Sequence, residues 1–303
     1  MERYLLLDVG GTGVKGAYWQ DGALSNIIEY PSEADKNAVF LLNHLCAMLI
    51  EQWKMNQSPE QKLGGIGMAF PGPFDYERGV PLMKGLNKYE CLYGMELPAE
   101  LVRLLSPSFH PTELTTNNFF FLNDVSAYAL GVLEKAKTYG RTMYVCLGTG
   151  AGSAYTIDGR LCVNEREGIP PDGWIFRLPF GDTILDDYLS ARGIQRLSEE
   201  RCHRSMTPSQ LFDQAESGDS IEACVFQSFG QQLTVALSPL LAAFHADTLV
   251  LGGKISLASH WFIQPMMDEC LHRHVKLLIQ PDTSTMTLYG LSAMIRRNAK
   301  KEF

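Results

Sequence analysis

A chain of 303 residues with 46% hydrophobic content is long enough to bury two cores, and its length favours two domains over one. A formal charge of −8 and a pI near 5.4 argue against a nucleic-acid binder, since there is no basic surplus to neutralise phosphates. No apolar run reaches the roughly 18 residues of a membrane span, and the seven scattered cysteines contain no C-x-x-C pair, so a cytoplasmic protein with reduced thiols is expected.

In chain order, YLLLDV reads as a buried strand that runs into Gly10, Gly11, Thr12 and Gly13. The alternating VKGAYWQ then leads to Asp21-Gly22, a strong hairpin-turn signal. A helical pattern follows over 37 to 53, an apolar strand ends at Phe70, and a second, FFFL, ends at Leu122. The segment 124 to 136 is helical again. From MYVCL onward the opening is repeated, because GTGVKGAYWQDGAL at Gly11 to Leu24 returns as GTGAGSAYTIDGRL at Gly148 to Leu161. Thr207-Pro208 marks a helix start, a helical pattern covers 228 to 244, and the strand TLVLGG ends at Gly253. The last segment, GLSAMIRRN, is expected to pack as a helix on the first domain. The polar, proline-bearing stretch 106 to 118 is the best domain boundary, giving 1–117 with a returning helix at about 289–303, and 118–288.

A Gly-Thr-Gly turn between strands lets backbone N–H groups approach an anion. Two such turns suit the phosphates of a nucleotide; a pair of plain hairpin turns is the alternative, made weaker by the duplication. Asp8, near the end of a buried strand, suits a magnesium-water ligand beside Gly10, Gly11 and Thr12, or else a turn cap. Lys15 is either a phosphate contact or an ordinary exposed strand lysine. Asp124 follows a strand and opens a helix, so by local pattern it is equally a ligand-facing carboxylate or a helix N-cap.

This order of motifs resembles the superfold of actin, heat-shock ATPases and sugar kinases, and within it the ROK family of repressors and sugar kinases. LLLDVGGTGVKGA is similar to the first phosphate motif, GIGMAFPGPFD to the G-x-x-x-PG-x-x-D stretch, and FLNDVSAYALG to the segment that carries the catalytic aspartate. CLGTGAGSAYTIDGRL is similar to the second phosphate motif and LVLGGKIS to the adenosine motif. The resemblance implies an α/β fold of two ribonuclease-H-like domains with a cleft between them. It makes Asp124 the general base and places Pro71, Gly72, Asn87 and Asn123 near a sugar. Asp8, Gly10, Gly11, Thr12, Lys15, Gly148, Thr149, Gly150, Gly252 and Gly253 become the nucleotide site, with Asp8 holding Mg²⁺ through water. ATP, magnesium, a small-molecule sugar and a homodimer follow from the same resemblance, with polyphosphate as an alternative donor.

The resemblance breaks after the second phosphate motif. Where the family has Glu-x-Gly-His and a zinc-binding cysteine cluster, Arg166 and Ile169 flank Gly168, and no cysteine lies between Cys162 and Cys202. No zinc site is expected. Arg166 suits an acidic or otherwise altered sugar, Glu165 or Glu167 suits a substituted grip after a one-residue slip, and a defunct pocket is the third reading. Trp174, Ile175 and Phe176 are expected to hold this segment by packing. The expected function is therefore an ATP-dependent kinase of a hexose primary hydroxyl. A non-catalytic sugar- or nucleotide-binding regulator is the alternative.

Overall fold

The structure, a computed structural model, describes residues 3–56, 62–109, 114–163, 168–218 and 220–300. Its elements fall into two compact units, one running to Glu134 and resuming at Ser284, the other Lys135–Thr283.

In the first unit, β1 (Arg3–Val9), β2 (Gly13–Gln20), β3 (Ala23–Pro31), β4 (Gly65–Phe70) and β5 (Phe119–Asn123) form a sheet in the order β3-β2-β1-β4-β5. The first three strands are antiparallel, while β1, β4 and β5 run parallel. In the second unit, β6 (Arg141–Leu147), β7 (Ala151–Ile157), β8 (Arg160–Cys162), β9 (Thr248–Gly252) and β10 (Lys276–Ile279) repeat that plan as β8-β7-β6-β9-β10. Antiparallel and parallel pairs fall in the same places. Two ribonuclease-H-like α/β units are thus present. The central strands are buried along nearly their whole length, as their continuous apolar runs require, whereas the edge strand β3 is largely exposed.

Both hairpins close with Asp-Gly. Asp21 and Gly22 (φ 47° and 98°), like Asp158 and Gly159 (φ 49° and 82°), lie in the left-handed region. That is the mirror-image turn whose twist matches the strands it joins.

The longer helices are α1 (Ala38–Asn56), α2 (Leu97–Leu105), α3 (Asp124–Ala136), α4 (Ala191–Cys202), α5 (Pro208–Glu216), α6 (Ser220–Phe244), α7 (Gln264–His272) and α8 (Thr283–Lys300). On α1, Leu41, Leu42, Leu45, Met48, Leu49 and Trp53 turn one stripe into the first core. Phe226, Phe229, Leu233, Leu237, Leu241 and Phe244 do the same on α6 for the second. Thr207 and Gln210 form a reciprocal capping box at the start of α5, in line with the Thr-Pro signal.

The domain boundary differs from the one expected. The loop over 106–118 precedes β5, which pairs with β4 in the first sheet, so the division falls after 134 and not after 117. Composition marks a loop but says nothing of which sheet the next strand joins. The returning helix also starts earlier, at Thr283. A β-carbon added to Gly131 would lie 1.8 Å from the Met286 carbonyl oxygen, and one on Gly290 would lie 1.8 Å from that of Ala127. Helices α3 and α8 therefore meet backbone to backbone, and any side chain at those glycines would force them apart.

Candidate functional site

The site is built separately in each unit. In the first, β1 carries Asp8 one residue from its end, opposite Lys15 on β2 and beside Ala69 on β4. Burial pushes the Asp8 carboxyl up to about 7, and the charge of Asp124 acts in the same direction. A hydrogen bond with Ser284 and the charge of Lys15 pull it back in part. Ser284 lies in the first turn of α8, where unpaired N–H groups favour an anion. Lys15 is half-buried, and its charge bears on Asp8.

The turn after β1 is held from outside. The Gly10 N–H donates to the Gly13 carbonyl at 3.0 Å, the Tyr89 hydroxyl donates to the Gly10 carbonyl at 2.7 Å, and the Ser32 hydroxyl donates to the Gly11 carbonyl at 2.9 Å. With those carbonyls engaged, the exposed Gly11 and Thr12 amides have no acceptor among the described residues. An anion could supply one.

Asp124 is the first residue of α3, but it is not the cap. Asn123 takes that role, its Oδ1 accepting the N–H groups of Val125 at 3.0 Å and Ser126 at 3.2 Å. Burial raises the Asp124 pKa, while the Val125 N–H, the charge of Lys88 and the Asn123 amide oppose that rise. Asn123 also donates to the Tyr76 hydroxyl at 3.3 Å, which in turn donates to the Phe70 carbonyl at 3.0 Å. Much of its polar capacity is therefore engaged inside the unit.

Pro71 and Gly72 are partly buried in the loop that leaves β4. Asp75 accepts the Arg78 N–H at 3.0 Å and so closes a turn. Asn87 is exposed at φ 54°, its N–H donating to Glu90 at 2.7 Å. Beside it is a residue that motif reading passes over: the Lys88 side chain lies across the first glycine turn, with Cδ 3.2 Å and Nζ 3.6 Å from where a Gly11 β-carbon would stand. Its only sequence signal is adjacency to Asn87, since nothing local ties residue 88 to residue 11. Ser284 was equally hidden, 276 positions from Asp8 in the chain.

In the second unit, the Gly148 N–H donates to the Gly150 carbonyl at 3.0 Å, and the Gly148 carbonyl accepts from the Ala191 N–H at 2.8 Å. A β-carbon on Gly148 would meet nothing within 4 Å, and its φ is not left-handed. The protein's own packing therefore does not demand glycine there. Thr149 is exposed in the same turn. Asp186 accepts the Ala151 N–H at 2.6 Å and pairs with Arg192, which also reaches Asp187 at 3.3 Å. Gly252 ends β9 beside Cys146; Gly253 sits at φ 88°, with the Leu147 carbonyl filling the place of any side chain.

Arg166, Glu165 and Glu167 lie outside the described residues. Ile169 is buried in the second core, so the place of the expected histidine is apolar. Ile175 is fully buried nearby, and Trp174 packs on Phe176 at 5.6 Å between ring centres. No helix among the described residues is long and apolar enough to cross a membrane.

Comparison with known proteins gives a consistent outcome. The ROK family model matches residues 181–286. The chain is 21% identical over 291 residues to a glucokinase of Halalkalibacterium halodurans, covering 87% of this chain and 83% of that one. Its structure superposes on a ROK hexokinase from Thermus thermophilus with a TM-score of 0.77 at 19% identity, covering 99% of both chains. A ROK family glucokinase from Streptomyces griseus, in complex with glucose and AMPPNP, gives 0.73 at 15% identity over 97% of this chain and 99% of that one.

Proposed function

The chain is a member of the ROK family, and from that premise we propose that it is a sugar kinase that transfers the γ-phosphoryl group of ATP to a primary hydroxyl of a hexose. The observation that carries this reading is the pair Asp8 and Asp124, two recessed carboxylates of one unit, each with its proton affinity raised by burial and Asp8 further by the charge of Asp124. Keeping two such groups together is expensive unless a cation or a proton transfer uses them.

Asp124 is the proton acceptor. Its raised pKa makes it a stronger base than an exposed aspartate, while Lys88 helps keep it ionised. The sugar hydroxyl gives its proton to Asp124 as its oxygen bonds to phosphorus, and the bond from phosphorus to the bridging oxygen of ADP breaks in line. The Gly11 and Thr12 amides, and those of Thr149 and Gly150, are the proposed phosphate donors. Gly148 supports the second part of this grip, because open space at a glycine suits close approach of a ligand to the backbone. Gly252 and Gly253 are assigned to the adenosine.

The oxygen donors and the mutual repulsion of Asp8 and Asp124 fit a hard divalent cation, with Asp8 holding it through water. Magnesium bound with the nucleotide would neutralise charge on the β- and γ-phosphates.

The test is to mix the protein with Mg-ATP and a panel of hexoses, amino sugars and acidic sugars and follow ADP release. Sugar-dependent release is expected from wild type and not from Asp124→Asn. Release from no sugar would overturn the kinase reading. It would favour a second reading, a non-catalytic sugar- or nucleotide-binding regulator, which the apolar, buried Ile169 also supports.

A further inference from the structure

We propose that Lys88 grips the terminal phosphoryl group of the nucleotide and so lets this protein tell a triphosphate from a diphosphate. The proposal deepens the kinase reading and rests on it for the identity of the donor.

Three observations converge on Lys88. Its stem crosses the first glycine turn, with Nζ 3.6 Å from the place of a Gly11 β-carbon, above the stretch whose Gly11 and Thr12 amides lack acceptors among the described residues. Its charge also bears on Asp124, the proposed proton acceptor. No carboxylate among the described residues lies within ion-pair distance of it. Lys15, the other lysine of this region, faces Asp8.

The backbone that presents Lys88 is firmly held. Its neighbours Asn87 and Tyr89 both adopt left-handed conformations, at φ 54° and 56°. Tyr89 is buried, its N–H donating to the Ala34 carbonyl at 2.7 Å and its hydroxyl to the Gly10 carbonyl at 2.7 Å. Glu90 turns its carboxylate inward to accept the Leu86 and Asn87 amides, at 2.5 and 2.7 Å. A half-buried lysine on such a strap loses little freedom when it meets an anion, and a charge-assisted bond to a phosphoryl oxygen is the strongest contact open to it. The ammonium keeps its protons throughout; the hydroxyl proton goes to Asp124.

The experiment compares wild type, Lys88→Met and Lys88→Arg by calorimetry with a non-hydrolysable ATP analogue and with ADP, each with magnesium. Wild type should bind the triphosphate more tightly than ADP. Lys88→Met should lose roughly tenfold or more on the triphosphate and little on ADP, while Lys88→Arg keeps most of the difference. Equal weakening toward both nucleotides, no weakening, or no preference in wild type would overturn the proposal. A melting curve taken with each variant separates loss of fold from loss of grip. If wild type phosphorylates no sugar, the kinase reading falls, and the comparison of nucleotides still decides the role of Lys88.

Discussion

Near the end of β1 stands Asp8, facing Lys15; at the matching place on β6 stands Cys146, facing Gly152. The two strands belong to sheets of the same order, and both lead through a glycine turn into the same hairpin. The turns differ by one residue, since Val9 pairs with Val14 whereas Leu147 pairs with Ala151. Electrostatic support differs more. The first turn has a carboxylate with a lysine, a serine hydroxyl and a helix start around it. The second draws its carboxylate, Asp186, from another element and uses it to hold the Ala151 N–H and Arg192. A repeated scaffold can carry a buried carboxylate in one copy only if that copy also supplies partners that offset part of its burial cost.

Four changes would break or sharpen this comparison. The largest effect is expected from Asp124→Asn, which should lower kcat by about 10³-fold with a small change in sugar KM, because it removes the base and keeps the shape. Retained turnover, measured as ADP release, would take the chemistry away from the first unit.

Asp8→Asn should also abolish most turnover, and its stability signature has a definite sign. The folded pKa of about 7 lies above the unfolded value near 3.8, so the native state holds the extra proton between them. The stability from this group is full below about pH 4 and is lost as pH rises through about 7. Without metal, the variant should therefore be more stable than wild type at pH 8, by on the order of 2–4 kcal/mol, and no more stable at pH 4. Melting curves that shift equally at both pH values would show that Asp8 carries no such burden. The converse change, Cys146→Asp, places a carboxylate opposite Gly152 with no lysine; it should lower stability by about 1–3 kcal/mol at pH 8, and by less at pH 5.

The smallest expected effect on folding belongs to Gly148→Ala. With open space around the added carbon, the melting temperature of the free protein should hardly move, while the protection conferred by Mg-ATP should shrink by about 1–2 kcal/mol if phosphate contacts this turn. Unchanged protection would place the nucleotide elsewhere.

Much of this architecture was legible in the chain, and the reasons are local. Apolar runs ended by glycine read as the central strands, the Asp-Gly pairs read as tight turns, and the pattern of 124 to 136 read as a helix. Asp8 and Asp124 stood out because carboxylates at the ends of buried strands are uncommon unless used. Other features could not be seen this way. The N-cap of α3 went to Asn123 instead of Asp124, a choice of one residue that depends on backbone angles. The boundary at 134 required knowing which sheet β5 joins.

The sequence alone determined the elements, the doubled hairpin and the two strand-end carboxylates, because each follows from neighbours within a few residues. Only tertiary structure decided that Ser284, Lys15 and Asp124 all act on Asp8, and that Lys88 lies over Gly11. Hydrogen bonds and charges act over a few ångströms of space regardless of separation along the chain. Folding sets those distances, and so it alone could bring residues 8, 88, 124 and 284 to bear on one another.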